Sequence, residues 1–199
     1  MEKKNNISKI LVVQGSPRKK GNSITLAEQI AKGAESVGAA TERIYLHDKK
    51  ISACQACYAC QRPDSSGCAI DDEMQPIYKK LIDADCWIIA SPVYWFTMSA
   101  QTKLFMDRGL FALFGYKKDV LAGKRIAIAM SYGDTDAFNS GCVNALRTFQ
   151  DAFKYAGANL VGMVYGSAEK PGEIKSNQPL MDQAEALGKK LVGKLTISH

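Results

Sequence analysis

The strongest constraint on this chain is an alternation. Short apolar runs of strand length trade places with amphipathic stretches of helix length, from residue 9 almost to the C-terminus. Residues 9–14 (KILVVQ) read as a buried strand. Residues 23–37 place Ile24, Leu26, Ala27, Ile30, Ala31 and Ala34 near helical spacing, with Gly38 as a stop. Residues 41–46 alternate like a strand near a sheet edge. Residues 72–82 read as a helix capped by Asp71 or Asp72. The pattern continues with a central strand at 86–91 (CWIIAS), a helix at 99–111, a strand at 125–131, a helix at 141–156, a last strand at 159–165 and a last helix at 179–195. Five strands separated by helices require parallel crossovers. The expected fold is α/β: a doubly wound five-stranded parallel sheet, helices on both faces, one domain over residues 1–199.

In such sheets ligands bind beyond the carboxyl ends of the strands, where the strand order reverses. The loops after strands one, three and four are therefore the expected site. They read GSPRKKGNS, SPVYWFTMS and SYGDTDAFN.

Other classes are disfavoured. No window of 18 apolar residues occurs, so no membrane helix is expected. The N-terminal apolar run ends at Gly15 without a small-residue cleavage site and reads as a strand, not a signal peptide. A cytoplasmic location is expected, where clustered thiols more often serve metal or redox chemistry than structural disulfides. The net charge of +6 comes from scattered lysine pairs, with no basic stripe interleaved with aromatics. Solvated surface is preferred over nucleic-acid binding, with a mild attraction for phosphorylated small molecules.

The first loop, residues 15–23, joins a strand to a helix N-terminus, whose open N–H groups and positive dipole end suit an anion. Ser16, Asn22, Ser23 and Thr25 add donors and Arg18 adds charge, while Gly21 lets the chain turn. A Walker A loop fails here, because Asn22 stands where its lysine belongs; the dinucleotide fingerprint GxGxxG is absent too. The loop suits one terminal phosphate monoester, as in FMN, better than a triphosphate or pyrophosphate. The alternative is an ordinary βα turn with a serine cap. In the second loop, Tyr94, Trp95 and Phe96 are costly to leave in water and stack well on a planar ring. Cover for the core or for a subunit interface is the competing role. Lys103, Met106, Asp107 and Arg108 on the next helix need be no more than structural.

Together GSPRKKGNS, SPVYWFTMSAQTKLFMDR and the strand ending in SYGD resemble the NADPH-dependent FMN reductase family of the flavodoxin-like superfamily, which includes quinone reductases and iron–sulfur flavoproteins. The resemblance implies that Ser16, Arg18, Gly21, Asn22 and Ser23 surround the FMN phosphate. It implies that Pro92, Val93, Tyr94, Trp95, Phe96 and Thr97 lie against the flavin ring, and that Ser131, Tyr132, Gly133 and Asp134 form the other wall. It also implies a homodimer or homotetramer, with NAD(P)H as co-substrate and chemistry borne by the flavin, so that no side chain need act as acid or base. His47 and His199 fall outside the expected site.

Cys54, Cys57, Cys60 and Cys68 lie in a loop at residues 52–70 with the spacing CxxCxxC followed by a fourth cysteine. Four such thiolates can hold a [4Fe–4S] cluster, and the spacing resembles that of the iron–sulfur flavoproteins. Zinc and unligated thiols are the alternatives. Cys86 and Cys142 read as packing residues. The expected function is an FMN-dependent oxidoreductase that takes electrons from NAD(P)H and gives them to a quinone, flavin or nitro/azo aromatic. Two rivals are an iron–sulfur electron carrier working with ferredoxin and a non-catalytic flavin-binding regulator.

Overall fold

The computed structural model describes residues 8–193. Its five parallel strands are β1 (Lys9–Gln14), β2 (Ala40–Tyr45), β3 (Cys86–Tyr94), β5 (Arg125–Tyr132) and β6 (Asn159–Ser167). They stand in the order β2-β1-β3-β5-β6, the flavodoxin-type doubly wound order, with its switch point between β1 and β3. The helices are α1 (Asn22–Glu35), α2 (Met74–Asp83), α3 (Ala100–Tyr116), α4 (Cys142–Tyr155) and α5 (Gln178–Val192).

Alternation along each strand divides the core in two. Ile10, Val12 and Ile88 face α1 and α5, where Leu26, Ile30 and Leu187 meet them. Leu11, Val13, Trp87 and Ile89 face α2, α3 and α4, joined by Phe105, Phe149 and Phe153. Each large side chain taken fully from water adds about 1.5–3 kcal/mol. This continuous burial explains why β3 is central and reads as an almost unbroken apolar run.

Several expected boundaries move. β3 runs three residues past Ser91, because Val93 and Tyr94 pair antiparallel with Met98 and Thr97 of a short added strand, β4 (Thr97–Met98). A two-residue pairing leaves no period in the sequence to read. α3 continues past Phe111 to Tyr116. α2 opens at Met74, yet the Asp72 carboxylate still accepts the Met74 N–H at 3.0 Å, so the expected capping residue acts from just outside the helix. The last residues of the helix expected at 179–195 lie outside the described residues. Among the described residues no helix is long and apolar enough to cross a membrane.

Candidate active site

The three loops converge at the carboxyl end of the sheet, and one buried hydroxyl cluster ties the first to the second. The Gly15 N–H donates to the Ala90 carbonyl at 2.8 Å. The Ser99 hydroxyl donates to the Gly15 carbonyl at 2.7 Å, and the Ser91 hydroxyl accepts the Ser99 N–H at 2.9 Å. Ser99 also caps α3 through the Thr102 N–H. Gly15 has to be glycine: a Cβ there would meet the Thr102 side chain and lie 2.8 Å from the Ala90 carbonyl oxygen.

A cavity of about 280 Å³ opens between them. Ser16, Arg18, Gly21, Asn22 and Ser23 line it from the first loop; Pro92, Val93 and Tyr94 from the second; Ser131, Tyr132 and Gly133 from the third. A neighbouring hollow, also about 280 Å³, shares Val93, Tyr132 and Gly133 and adds Trp95, Phe96, Asp134 and Ser140. Thr97 lines neither; it pairs with Tyr94 across the hairpin. His47 sits in the short turn after β2, away from both hollows, and His199 lies outside the described residues.

At the first loop an anion's needs go unmet by the protein. α1 starts after Gly21 with no side-chain cap, which removes the serine-cap alternative. The Ser23 hydroxyl is buried without a hydrogen-bond partner. An uncapped N-terminus beside an orphaned buried hydroxyl is what a bound phosphate would satisfy, and exposed Arg18 adds charge at the rim. The residues present therefore fit a phosphate monoester. Asn22 does something the sequence did not suggest. Its amide donates to the Ala168 and Lys170 carbonyls at 3.2 and 3.0 Å and accepts the Ile174 N–H at 3.3 Å. The side chain thus fixes a fourth segment, from which Ala168, Glu169 and Pro171 complete the cavity wall. Sequence reasoning missed that segment. Its signal was its position, since it too follows the carboxyl end of a strand. Thr25 is spent locally, donating to the Gly21 carbonyl.

The aromatic loop is a tight hairpin. Trp95 and Phe96 occupy its two central positions at φ 47° and 64°, the left-handed pair that a type I′ turn demands and that side chains other than glycine adopt at a cost of about 1–2 kcal/mol each. Trp95 is 90% exposed and Phe96 56%. From behind, Asn144 donates to the Phe96 carbonyl at 3.0 Å, and Gly141 leaves room for the Phe96 backbone. The third loop is shaped by Asp136, whose carboxylate accepts the N–H groups of Phe138 and Asn139 and so stays below its usual pKa. Burial pushes the Tyr132 hydroxyl up.

The four thiols of the cysteine loop lie in unlike surroundings. Cys54 and Cys57 are exposed, Cys60 is buried and Cys68 half-buried. Among the described residues no three His, Cys, Asp or Glu side chains group to hold a metal ion. Other contacts anchor the loop. Arg108, 1% exposed, donates to the Ser52 carbonyl at 2.6 Å, to both Asp72 oxygens at 2.7 and 3.1 Å, and to Cys68 Sγ at 3.5 Å. Burial disfavours the Asp72 charge, but Arg108 and the N–H groups of Ser52 and Met74 outweigh it and hold the carboxyl below its usual range. Gln61 reaches the Phe111 carbonyl at 2.6 Å. Cys86 and Cys142 are buried, and burial raises their thiols to about 11 and about 12. Both are packing residues, as their positions suggested.

With this geometry in view, comparison with known proteins is decisive. The sequence pattern of the family described as NADPH-dependent FMN reductase matches residues 8–172. The chain belongs to that family. It is 30% identical over 191 residues to an iron–sulfur flavoprotein of Methanocaldococcus jannaschii, covering 92% of this chain and 95% of that one. It is 28% identical to a Bacillus subtilis protein whose given name proposes an NAD(P)H-dependent FMN-containing oxidoreductase, over 92% of this chain and 97% of that one. Among solved structures, the Trp repressor binding protein from Bacillus subtilis superposes with a TM-score of 0.68 at 26% identity, over 89% of this chain and 99% of that one. The protein is an FMN-using oxidoreductase of this family.

Proposed function

We propose that this protein takes electrons from NAD(P)H into FMN held in the cavity and passes them to a small flat acceptor: a quinone, a flavin or a nitro or azo aromatic. The observation that carries this reading is one continuous site with two unlike ends. One end has an uncapped helix and an orphaned hydroxyl. The other has Tyr94, Trp95 and Phe96 exposed. FMN supplies hydride acceptance and electron release when bound. The chain's own residues do the rest. Ser23 and the first N–H groups of α1 hold the phosphate, with Arg18 closing the rim. Pro92, Val93, Tyr132 and Gly133 keep the ring edge out of water, and the exposed aromatics offer a flat face to either substrate in turn. An open aromatic face selects for shape and not for a hydrogen-bonding pattern, which supports a broad acceptor class. The same reading has the protein cytoplasmic and working as a homodimer or homotetramer. Phe111, Phe114 and Tyr155 on an apolar hollow between α3 and α4 favour assembly.

A second reading, an iron–sulfur carrier exchanging electrons with ferredoxin, is favoured by the names of archaeal relatives; among the described residues no three thiols are grouped as metal ligands. One experiment separates the readings: purification without oxygen, then FMN, iron and acid-labile sulfide per chain, and NAD(P)H turnover with a quinone. FMN and turnover without iron support the proposal. About four iron and four sulfide per FMN with slow NAD(P)H oxidation support the carrier. FMN that neither nicotinamide nor ferredoxin reduces would mark a flavin-binding regulator.

A further inference from the structure

The exposed aromatic turn is the strained part of the candidate site, and something has to hold it. Trp95 and Phe96 sit at φ 47° and 64°, a conformation that persists only where the surroundings over-determine it. The base of the hairpin is secured by strand pairing of Val93 and Tyr94 with Met98 and Thr97, and by the Ser99 N–H donating to the Ser91 hydroxyl at 2.9 Å. The tip is secured from α4. The Asn144 side-chain amide donates to the Phe96 carbonyl at 3.0 Å. Just before the helix, Gly141 lies so close that a Cβ there would come within 2.5 Å of the Phe96 Cα. Asn144 is itself a fixed post. Its backbone N–H donates to the Gly141 carbonyl at 3.0 Å, and its carbonyl accepts the Thr148 hydroxyl at 2.8 Å. The third loop, which leads into α4, is shaped by Asp136 and joined to the helix by the Val143 N–H donating to the Ala137 carbonyl at 3.2 Å. Trp95, Phe96 and Ser140 all line the hollow of about 280 Å³ that shares Val93, Tyr132 and Gly133 with the main cavity.

We propose that Asn144 is a positioning residue for acceptor choice: by fixing the Phe96 carbonyl it holds the Trp95–Phe96 turn as a rigid wall of the hollow, which favours flat acceptors that stack there over small ones that need no wall. The inference rests on the reading of a flat acceptor at the aromatic face, and deepens it. A turn with two left-handed residues other than glycine has a relaxed alternative within reach. The net strength of one hydrogen bond is comparable with the strain at one such residue, so losing the Asn144 bond releases the turn. Stacking needs the aromatic rings held at one place and angle. A mobile pair has to be ordered anew each time an acceptor binds, which weakens binding. Electron release to an acceptor that reacts without stacking stays level. Asn144 lines neither the main cavity nor the hollow, so it acts through Phe96 and not by touching a ligand.

The test uses FMN-loaded Asn144→Asp. The change keeps the size of the side chain and removes its N–H donor. In the first turn of α4 an aspartate favours the helix, so a merely structural role predicts no loss. Wild type and variant are reduced photochemically without oxygen, which takes the electron donor out of the question, and are then mixed with a naphthoquinone or with dioxygen. The half-saturating concentration of the naphthoquinone should rise roughly three- to tenfold, the scale of one hydrogen bond. Its limiting rate, the dioxygen rate and the FMN content should stay as they were. The chain has two tryptophans, Trp87 buried and Trp95 exposed, so fluorine NMR of fluorotryptophan-labelled protein reads the turn directly. The Trp95 signal should shift and narrow while that of Trp87 stays. In a Phe96→Gly background, where glycine takes the left-handed conformation freely, the effect of Asn144→Asp should shrink. Equal naphthoquinone kinetics in both proteins, an unmoved Trp95 signal, a parallel loss with dioxygen or an undiminished effect in the glycine background overturns the inference. Wild-type flavin that dioxygen reoxidises and the naphthoquinone does not would sink the flat-acceptor reading, while a moved Trp95 signal would still support Asn144 as the post of the turn.

Discussion

Two loops at opposite sides of β1 and β3 differ in how their polar groups are spent. The first, at residues 15–23, is short and largely buried, yet it leaves the Ser23 hydroxyl and the start of α1 without protein partners. The cysteine loop, at residues 52–70, is long and puts Cys54 and Cys57 in solvent, yet its anchors are satisfied by Arg108, Asp72, Gln61 and Gln75. A buried donor left unmet costs about 1–3 kcal/mol, and a site tolerates that cost when a ligand repays it. The lesson is that the rigid loop with unmet demand is prepared for a ligand. The cysteine loop draws side-chain anchors from the body of the protein.

The largest effect should come from breaking the Arg108 anchor of the cysteine loop. Arg108→Met leaves Asp72 buried and unpaired and should cost about 3–5 kcal/mol in chemical denaturation. A cost near zero would mean that the cysteine loop is held by something else. Next comes the first loop. Ser23→Ala should weaken FMN binding by roughly ten- to a hundredfold, the scale of a hydrogen bond to a charged group, while apoprotein stability stays level or rises because an unsatisfied hydroxyl has gone. A fall in apoprotein stability would show that Ser23 serves the fold and not a ligand. Asn22→Ala is a poorer probe, because it also releases the segment at Ala168 and Lys170.

Acid sharpens the same contrast. The folded pKa of Asp72 is depressed, so its contribution is fully present above the unfolded carboxylate pKa and is lost as pH falls through the folded value. Asp72→Asn should therefore be less stable near neutrality and should show a flatter acid limb; an unchanged acid limb would detach Asp72 from the anchor. The smallest effect belongs to Cys54→Ser with Cys57→Ser. In metal-free protein these exposed changes should stay within about 0.5 kcal/mol, and a larger loss would point to a bound metal in the protein as purified.

Much of this was legible in the chain. The period of its apolar residues gave the class and the number of parallel strands, because burial on both faces forces continuous apolar runs in β3 and β5. The loops after β1, β3 and β5 were legible as a site because parallel topology puts their ends together. The hairpin at Trp95 and Phe96 was not, since two paired residues have no period and a left-handed turn without glycine carries no signature. Arg108 looked structural on α3; that it closes a loop more than thirty residues upstream depends on a contact no local pattern encodes.

The sequence by itself determined the architecture, the family and the side of the sheet where chemistry occurs, because hydrophobic periodicity and loop composition are local properties. Only the tertiary structure decided that Asn22 holds the fourth wall, that Ser23 goes unpartnered, and that Arg108 ties the cysteine loop to Asp72 and α3. Each of these depends on which distant groups share one small volume, and burial and competition for hydrogen bonds settle that only after the chain has folded.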